Sequence, residues 1–213
     1  MEQAEGQAVP GTRMRAGQRR ELVLEAATRV FGERGYVGAT TDAVAKEAGV
    51  SQPYVVRIFG SKEALFLAVL ERALERLTGA FRAALAAQTG RADPAAAMGS
   101  AYAELLADRG LLLSLMHGFI LGSDPVIGAR ARAGFLEVYR LLREEAGFSA
   151  EQAHGFLASG MLLNTMVGIR MSVDYERDAA ARELMDSVFP TKLHFLLSLE
   201  REQGAGAAGP VPS

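Results

Sequence analysis

Residues 40–66 read TTDAVAKEAGVSQPYVVRIFGSKEALF, and the spacing within them decides the fold. Thr40 or Thr41 can cap a short helix that stops at Gly49. Ser51 is placed to cap a second short helix, with Pro53 in its first turn, where a missing N–H breaks no intrahelical bond. Two helices joined so tightly need a small residue where they touch, and Ala45 stands there. Gly49, four positions on, tolerates the positive φ of the turn. Val44, Ala48, Val50, Val55 and Ile58 recur at intervals that anchor the second helix across the first, leaving Gln52, Tyr54 and Arg57 to point outward. The pattern is that of a helix-turn-helix, in which the second helix meets base edges and phosphates.

On both sides the chain keeps helical period. Before the motif, Leu22, Val23, Ala26, Ala27, Val30 and Phe31 fill one face of a helix predicted over 18–34, with Gly35 as the residue that ends it. After it, Ser61 opens a long helix with Leu65, Phe66, Val69, Leu70, Ala73, Leu74 and Leu77 inward, and Glu71, Arg72, Glu75 and Arg76 in water. Asp93-Pro94 and Asp124-Pro125 each read as a capping Asp followed by Pro at the first helical position, and Ser149 to Gln152 has capping-box spacing. These signals predict helices near 94–107, 111–121, 126–146, 150–171 and 180–200, the last kinked or split by Pro190. No alternating β-branched run suggests a strand, so the expected fold is all-α. Residues 1–16 and 203–213, rich in Gly, Ala, Gln and Pro, read as a disordered arm and tail.

Composition narrows the classes. With 213 residues, 49% hydrophobic and 23% charged, the chain is expected to be a globular protein with a real core. A net charge of −2 does not bear on nucleic-acid binding, because a whole-chain sum hides local patches. The absence of cysteine excludes disulfides and thiolate metal sites and suits a reducing cytoplasm. No cleavable leader opens the sequence, and the longest apolar run, 111–121, is too short for a membrane span. A cytoplasmic protein with no membrane partner is expected. Enzymatic chemistry finds no support: His117, His154 and His194 fall on different predicted helices, and no HExxH, GxSxG, Walker A or GxGxxG pattern occurs. Catalytic residues, a metal site and a cofactor are therefore not expected.

The longer run AATRVFGERGYVGATTDAVAKEAGVSQPYVVRIFGSKEALF, within residues 19–70, resembles the DNA-binding domain of the TetR (tetracycline-repressor-like) family of transcriptional regulators. That resemblance implies an N-terminal three-helix helix-turn-helix DNA-binding domain over 17–62 and a helical ligand-binding and dimerisation domain over 63–202. It implies that Thr40 and Thr41, at the start of the second helix, lie against a phosphate, where backbone N–H groups and the helix dipole favour an anion. It places Ser51, Gln52, Pro53 and Tyr54 at the leading, base-facing end of the recognition helix, and Lys62 on the backbone of double-stranded operator DNA. Where the family often carries Tyr-Tyr-His, this chain has Val56-Arg57-Ile58, so Arg57 and Tyr54 are expected to share the work of the missing tyrosine. Arg13, Arg15, Arg19 and Arg20 precede the motif and could follow the backbone or probe the minor groove.

The resemblance further implies a homodimer formed through the last two long helices. Their apolar residues are spread too widely for one internal face, which is compatible. It also implies a small-molecule effector. The middle helices offer Met98, Tyr102, Leu105, Leu112, Leu115, Met116, Phe119, Phe135, Met161, Met166 and Met171, with His117, Asn164 and Arg170 as polar groups to orient a guest. Of these, Tyr102, Met116, His117, Phe119, Met161, Asn164 and Arg170 are the candidate ligand contacts, although Met and aromatic residues at helical spacing more often build plain core. The guest should be hydrophobic or amphipathic, and the helix from Ser61, shared by both domains, is the natural lever. The expected function is a repressor that binds palindromic operator DNA as a dimer and is released by this ligand. A ligand-dependent activator or co-repressor, and a helical small-molecule binding protein with little DNA affinity, remain open beside it.

Overall fold

The computed structural model describes residues 16–88, 93–106 and 108–188. Among them are α1 (Ala16–Gly38), α2 (Thr41–Glu47), α3 (Gln52–Phe59), α4 (Lys62–Ala86), α5 (Pro94–Leu105), α6 (Arg109–Ile120), α7 (Ile127–Arg140), α8 (Ala150–Gly168) and α9 (Ala179–Val188), and no strand. The fold is all-α, as expected. The arm with Arg13 and Arg15, the tail, Pro190 and the last turns of the final predicted helix lie outside the described residues.

The local signals act where the sequence puts them, with instructive departures. Gly35 takes φ 66°, ψ 174°, a conformation that excludes other residues, but a further helical turn follows it to Gly38. Thr40 is the N-cap of α2, its hydroxyl accepting from the Ala43 N–H at 3.1 Å. Ser51 occupies the N-cap position of α3, yet its hydroxyl makes no capping bond. The reason is local: Pro53 has no N–H to offer, and the Tyr54 N–H already bonds the Ser51 carbonyl at 3.0 Å. Asp124 does cap α7, its Oδ1 accepting from Val126 and Ile127, but Pro125 stays outside the helix instead of opening it.

Two further ends differ from the prediction. Helix α6 begins before residue 111, because Asp108 caps it by accepting from the Leu111 N–H and Gly110 enters the helix. Beyond Arg140 the predicted continuous helix widens into a π-helical turn over Leu141–Glu145, which Gly147, at φ 72°, brings to an end.

Two apolar cores result. The first gathers α1, α2 and α3 on the beginning of α4, with Phe31, Val44, Val55, Leu65 and Phe66 at its centre. The Phe31 and Phe66 rings are 4.9 Å apart, and Tyr36 is 5.0 Å from Phe66. The second runs from Ala73 along the rest of α4 and takes in α5, α6, α7 and α8, with Phe81, Met98, Leu111, Leu112 and Leu142 buried. Helix α4 thus belongs to both cores, and the change falls between Leu70 and Ala73.

Candidate DNA-binding face and ligand cavity

The helix-turn-helix is held by buried Val44 and Ala45 under α3, and by the Val50 N–H bonding the Ala45 carbonyl at 2.9 Å across the Gly49 turn, where φ is 64°. This leaves Ser51, Gln52, Pro53 and Arg57 exposed and Tyr54 half-buried at one edge. Gln52 Nε2 donates to Thr41 Oγ1 at 3.1 Å, so the first turns of α2 and α3 present their polar groups together. Arg57 lies 4.9 Å and Arg19 6.0 Å from the centre of the Tyr54 ring, and Arg20 is 5.2 Å over Phe59. Lys62 Nζ donates to the Val37 carbonyl at 3.3 Å and sits 4.7 Å over the Tyr36 ring.

Charge pairing sorts these cations from their neighbours. Arg29 is tied to Glu47, Lys46 to Asp42 and Arg72 to Glu21. Arg19, Arg20, Arg57 and Lys62 meet no carboxylate within ion-pair distance among the described residues; they are oriented by rings and a carbonyl. Cations arranged in this way keep their charge available to phosphate. Arg19 and Arg20, read from sequence as residues preceding the motif, belong to α1 and lean on the recognition helix. Val56 is 40% exposed, with only a methyl surface to offer.

A cavity of about 510 Å³ lies in the second domain, walled by α4, α5, α6, α7 and α8, with Val188 of α9. Its lining combines large side chains, Leu74, Leu77, Phe81, Phe119 and Phe135, with small ones, Ala95, Ala96, Gly99, Ser100 and Ala103 of α5, which leave space unfilled. A Cβ placed on Gly99 would meet nothing within 4 Å. Polar groups are few. Tyr102 donates its hydroxyl proton to Asn164 Oδ1 at 2.5 Å, and Arg130 is bound to Glu71 by its Nε at 2.7 Å. Burial pushes the Tyr102 phenol up to about 12, the bond to Asn164 opposing part of that rise.

Of the residues expected to meet a ligand, Tyr102, Phe119, Met161 and Asn164 line this cavity together. Met116 and Arg170 are not in its wall, and Arg170 is exposed in a left-handed turn after α8, at φ 57°. His117 faces the other domain: its ring would stand 3.1 Å from a Cβ on Gly35. Met98 and Leu112 are fully buried core. The small residues at 95, 96, 99, 100 and 103 are the signal that composition-led reading passed over, because absence of bulk makes a cavity as much as the residues that line it.

A second overlooked feature joins cavity to DNA-binding face. Gly110, Ser114 and Gly118 recur every fourth residue on α6. Gly110 lies against Gly32 of α1, Ser114 Oγ donates to the Thr28 carbonyl at 3.4 Å, and Gly118 seats Leu70 of α4. The same helix turns Leu115 and Phe119 into the cavity, which Gly118 and Leu70 also line. One helix therefore touches any cavity occupant and the helix that supports the DNA-binding core.

Residues 23–69 match the domain described as "Bacterial regulatory proteins, tetR family". The chain is 28% identical over 173 residues, 78% of each protein, to the HTH-type transcriptional activator FasR of Mycolicibacterium smegmatis. It is 39% identical over 59 residues, 28% of this chain and 29% of the other, to the HTH-type transcriptional regulator BetI of Rhizobium meliloti. In fold it resembles a TetR-like transcriptional regulator from Rhodococcus sp. RHA1, with a TM-score of 0.62 at 20% identity over 91% of this chain and 100% of that one. A TetR-family structure from Streptomyces coelicolor A3 gives 0.61 at 24% identity, over 82% and 99%.

Proposed function

We propose that this chain, which matches the TetR family of bacterial regulatory proteins over residues 23–69, is a repressor that grips palindromic operator DNA as a dimer and lets go when a small apolar or amphipathic molecule fills its cavity. It is a transcriptional regulator and not an enzyme. The observation that carries the DNA half of this reading is the edge where Arg19 and Arg57 meet Tyr54 on the exposed recognition helix, with Gln52 beside Thr41 and Lys62 at the start of α4, none of these cations having a carboxylate partner among the described residues. Ser51, Gln52, Pro53 and Tyr54 read bases; Thr40, Thr41, Arg57 and Lys62 hold phosphates. Two such edges, one turn of duplex apart at roughly 34–36 Å, double the contact.

The dimer forms through α8 and the last helix. Leu162 of α8, and Ile169 and Val173 just after it, are exposed in the single chain, and apolar surface of this kind is covered by a partner copy. Release follows from linkage: the occupant must favour the dimer whose recognition helices are misplaced for the groove, and α4 and α6 carry its push to α1. Such a protein works in the cytoplasm, where its operator is; no helix among the described residues is long and apolar enough to cross a membrane. A second reading, ligand-dependent activation, is favoured by one observation, the 28% identity to a protein named as an activator.

Selection of bound duplexes from a random library tests the DNA reading. A palindromic site should emerge, with Gln52→Ala and Tyr54→Ala changing its sequence preference. No enrichment of any duplex at modest ionic strength would refute it. Transcription in vitro from a promoter carrying the selected site then separates repression from activation.

A further inference from the structure

Tyr102 and Asn164 are the buried polar pair of the cavity; Ser100 and Ser159 also line it, with Ser159 Oγ donating to the Gly155 carbonyl at 3.0 Å. Tyr102 on α5 and Asn164 on α8 are 7% and 6% exposed, and both line the cavity. A phenol this buried keeps its proton and must donate it, and Asn164 Oδ1 receives it. That bond fixes which way round the Asn164 amide stands. Its acceptor is spent on the tyrosine, and the Nδ2 group, with two N–H donors, has no acceptor among the described residues. On Asn164, 6% exposed and lining the cavity, this donor is left for a molecule in the cavity to accept from. Arg130 is the one formally charged side chain among the described lining residues, and it is already neutralised by Glu71. An anionic guest would have to share this cation with Glu71, and a cationic one would find no carboxylate among the described lining residues.

We propose that the cavity selects a neutral, largely apolar molecule bearing a carbonyl oxygen (a ketone, ester or amide), and that Asn164 Nδ2 donates the hydrogen bond that recognises it. Tyr102 is the positioning residue that holds the amide in this sense. The inference rests on the cavity being the effector site. The apolar lining, Leu77, Phe81, Phe119 and Phe135 among it, is indifferent to the carbonyl.

The probes are benzophenone and diphenylmethane, neutral molecules of nearly the same shape that differ in one carbonyl, read by displacement of N-phenyl-1-naphthylamine from the full-length protein. Benzophenone should bind roughly two- to tenfold tighter than diphenylmethane, as expected for one net hydrogen bond. The anion 4-benzoylbenzoate should bind more weakly than benzophenone. In Asn164→Leu the ratio of the two affinities should fall to about one, whatever happens to their absolute values. The carbonyl stretch of benzophenone bound to the unaltered protein should shift to lower wavenumber, a readout that stands even if the variant does not fold. Equal affinities for the two neutral probes, or an unshifted stretch, would overturn the carbonyl assignment alone. Failure of the naphthylamine itself to enter the protein would remove the cavity as an effector site, and this inference with it.

Discussion

Gly32 of α1 and Gly110 of α6 meet backbone to backbone: a Cβ on Gly32 would stand 2.7 Å from the Gly110 Cα and 2.9 Å from its carbonyl oxygen. The two helices approach this closely because neither carries a side chain at the crossing, and the joint ties the DNA-binding domain to the helix that walls the cavity. Neither partner has a flexible end that could swing aside, so an added methyl must part the helices.

Gly32→Ala should therefore destabilise the protein by about 1–3 kcal/mol, the usual cost of overpacking. Gly79→Ala, in the middle of α4 where a Cβ meets nothing within 4 Å, should stabilise it by about 0.5–1 kcal/mol through helix propensity. Urea unfolding of the two variants, side by side, should give shifts of opposite sign.

At Gly35 the obstacle is conformational. Its φ of 66° with ψ of 174° lies in a region open essentially to glycine, and a Cβ there would also press on His117 Cε1 at 3.1 Å. Gly35→Ala should cost about 1–3 kcal/mol or more. Removing the ring as well, in Gly35→Ala with His117→Ala, should not restore stability, since the backbone strain remains; thermal melts check both.

Lys62 and Arg57 are free of carboxylate partners among the described residues, so their charge is available to phosphate. Lys62→Gln and Arg57→Gln should each weaken operator binding for every sequence alike. Each should also lower the slope of log K against log salt by about 0.9. Titrations at several salt concentrations read this directly, and an unchanged slope would place the residue off the backbone.

Tyr102 holds its proton more tightly folded than unfolded, with its titration moved from 10.0 up to about 12 by burial. Its contribution to stability is complete below pH 10 and is lost as pH climbs from 10 toward about 12, at up to about 1.4 kcal/mol per unit. Tyr102→Phe should be less stable near neutrality by about 1–3 kcal/mol, because Asn164 Oδ1 loses its donor. The gap between the two proteins should narrow above pH 10. Urea midpoints measured from pH 8 to pH 11.5 test the crossover.

The DNA-binding half was legible because its information is local. Ala45, Gly49 and the anchors Val44 and Val55 lie within a few turns of one another, and each has a role fixed by short-range sterics. Thr40 caps α2 for the same reason. Ser51 shows the limit: the right residue at the right place makes no cap, because Pro53 beside it has no N–H to give.

The cavity in the second domain was legible only in kind. Tyr102, Phe119, Met161 and Asn164 are gathered into one wall from three helices, while Met116, His117 and Arg170, equally plausible in sequence, are turned elsewhere. Helical period tells which residues share a face; it does not tell which neighbour that face will meet. The amino-acid sequence by itself thus determined an all-α chain with a helix-turn-helix between Thr40 and Lys62, since caps, turns and amphipathic stripes act over one or two turns of chain. Tertiary structure alone decided that small residues of α5 would line one cavity with Phe119 and Phe135, and that Gly32 would touch Gly110. Voids and crossings are properties of pairs of surfaces distant in sequence, fixed only when the helices pack.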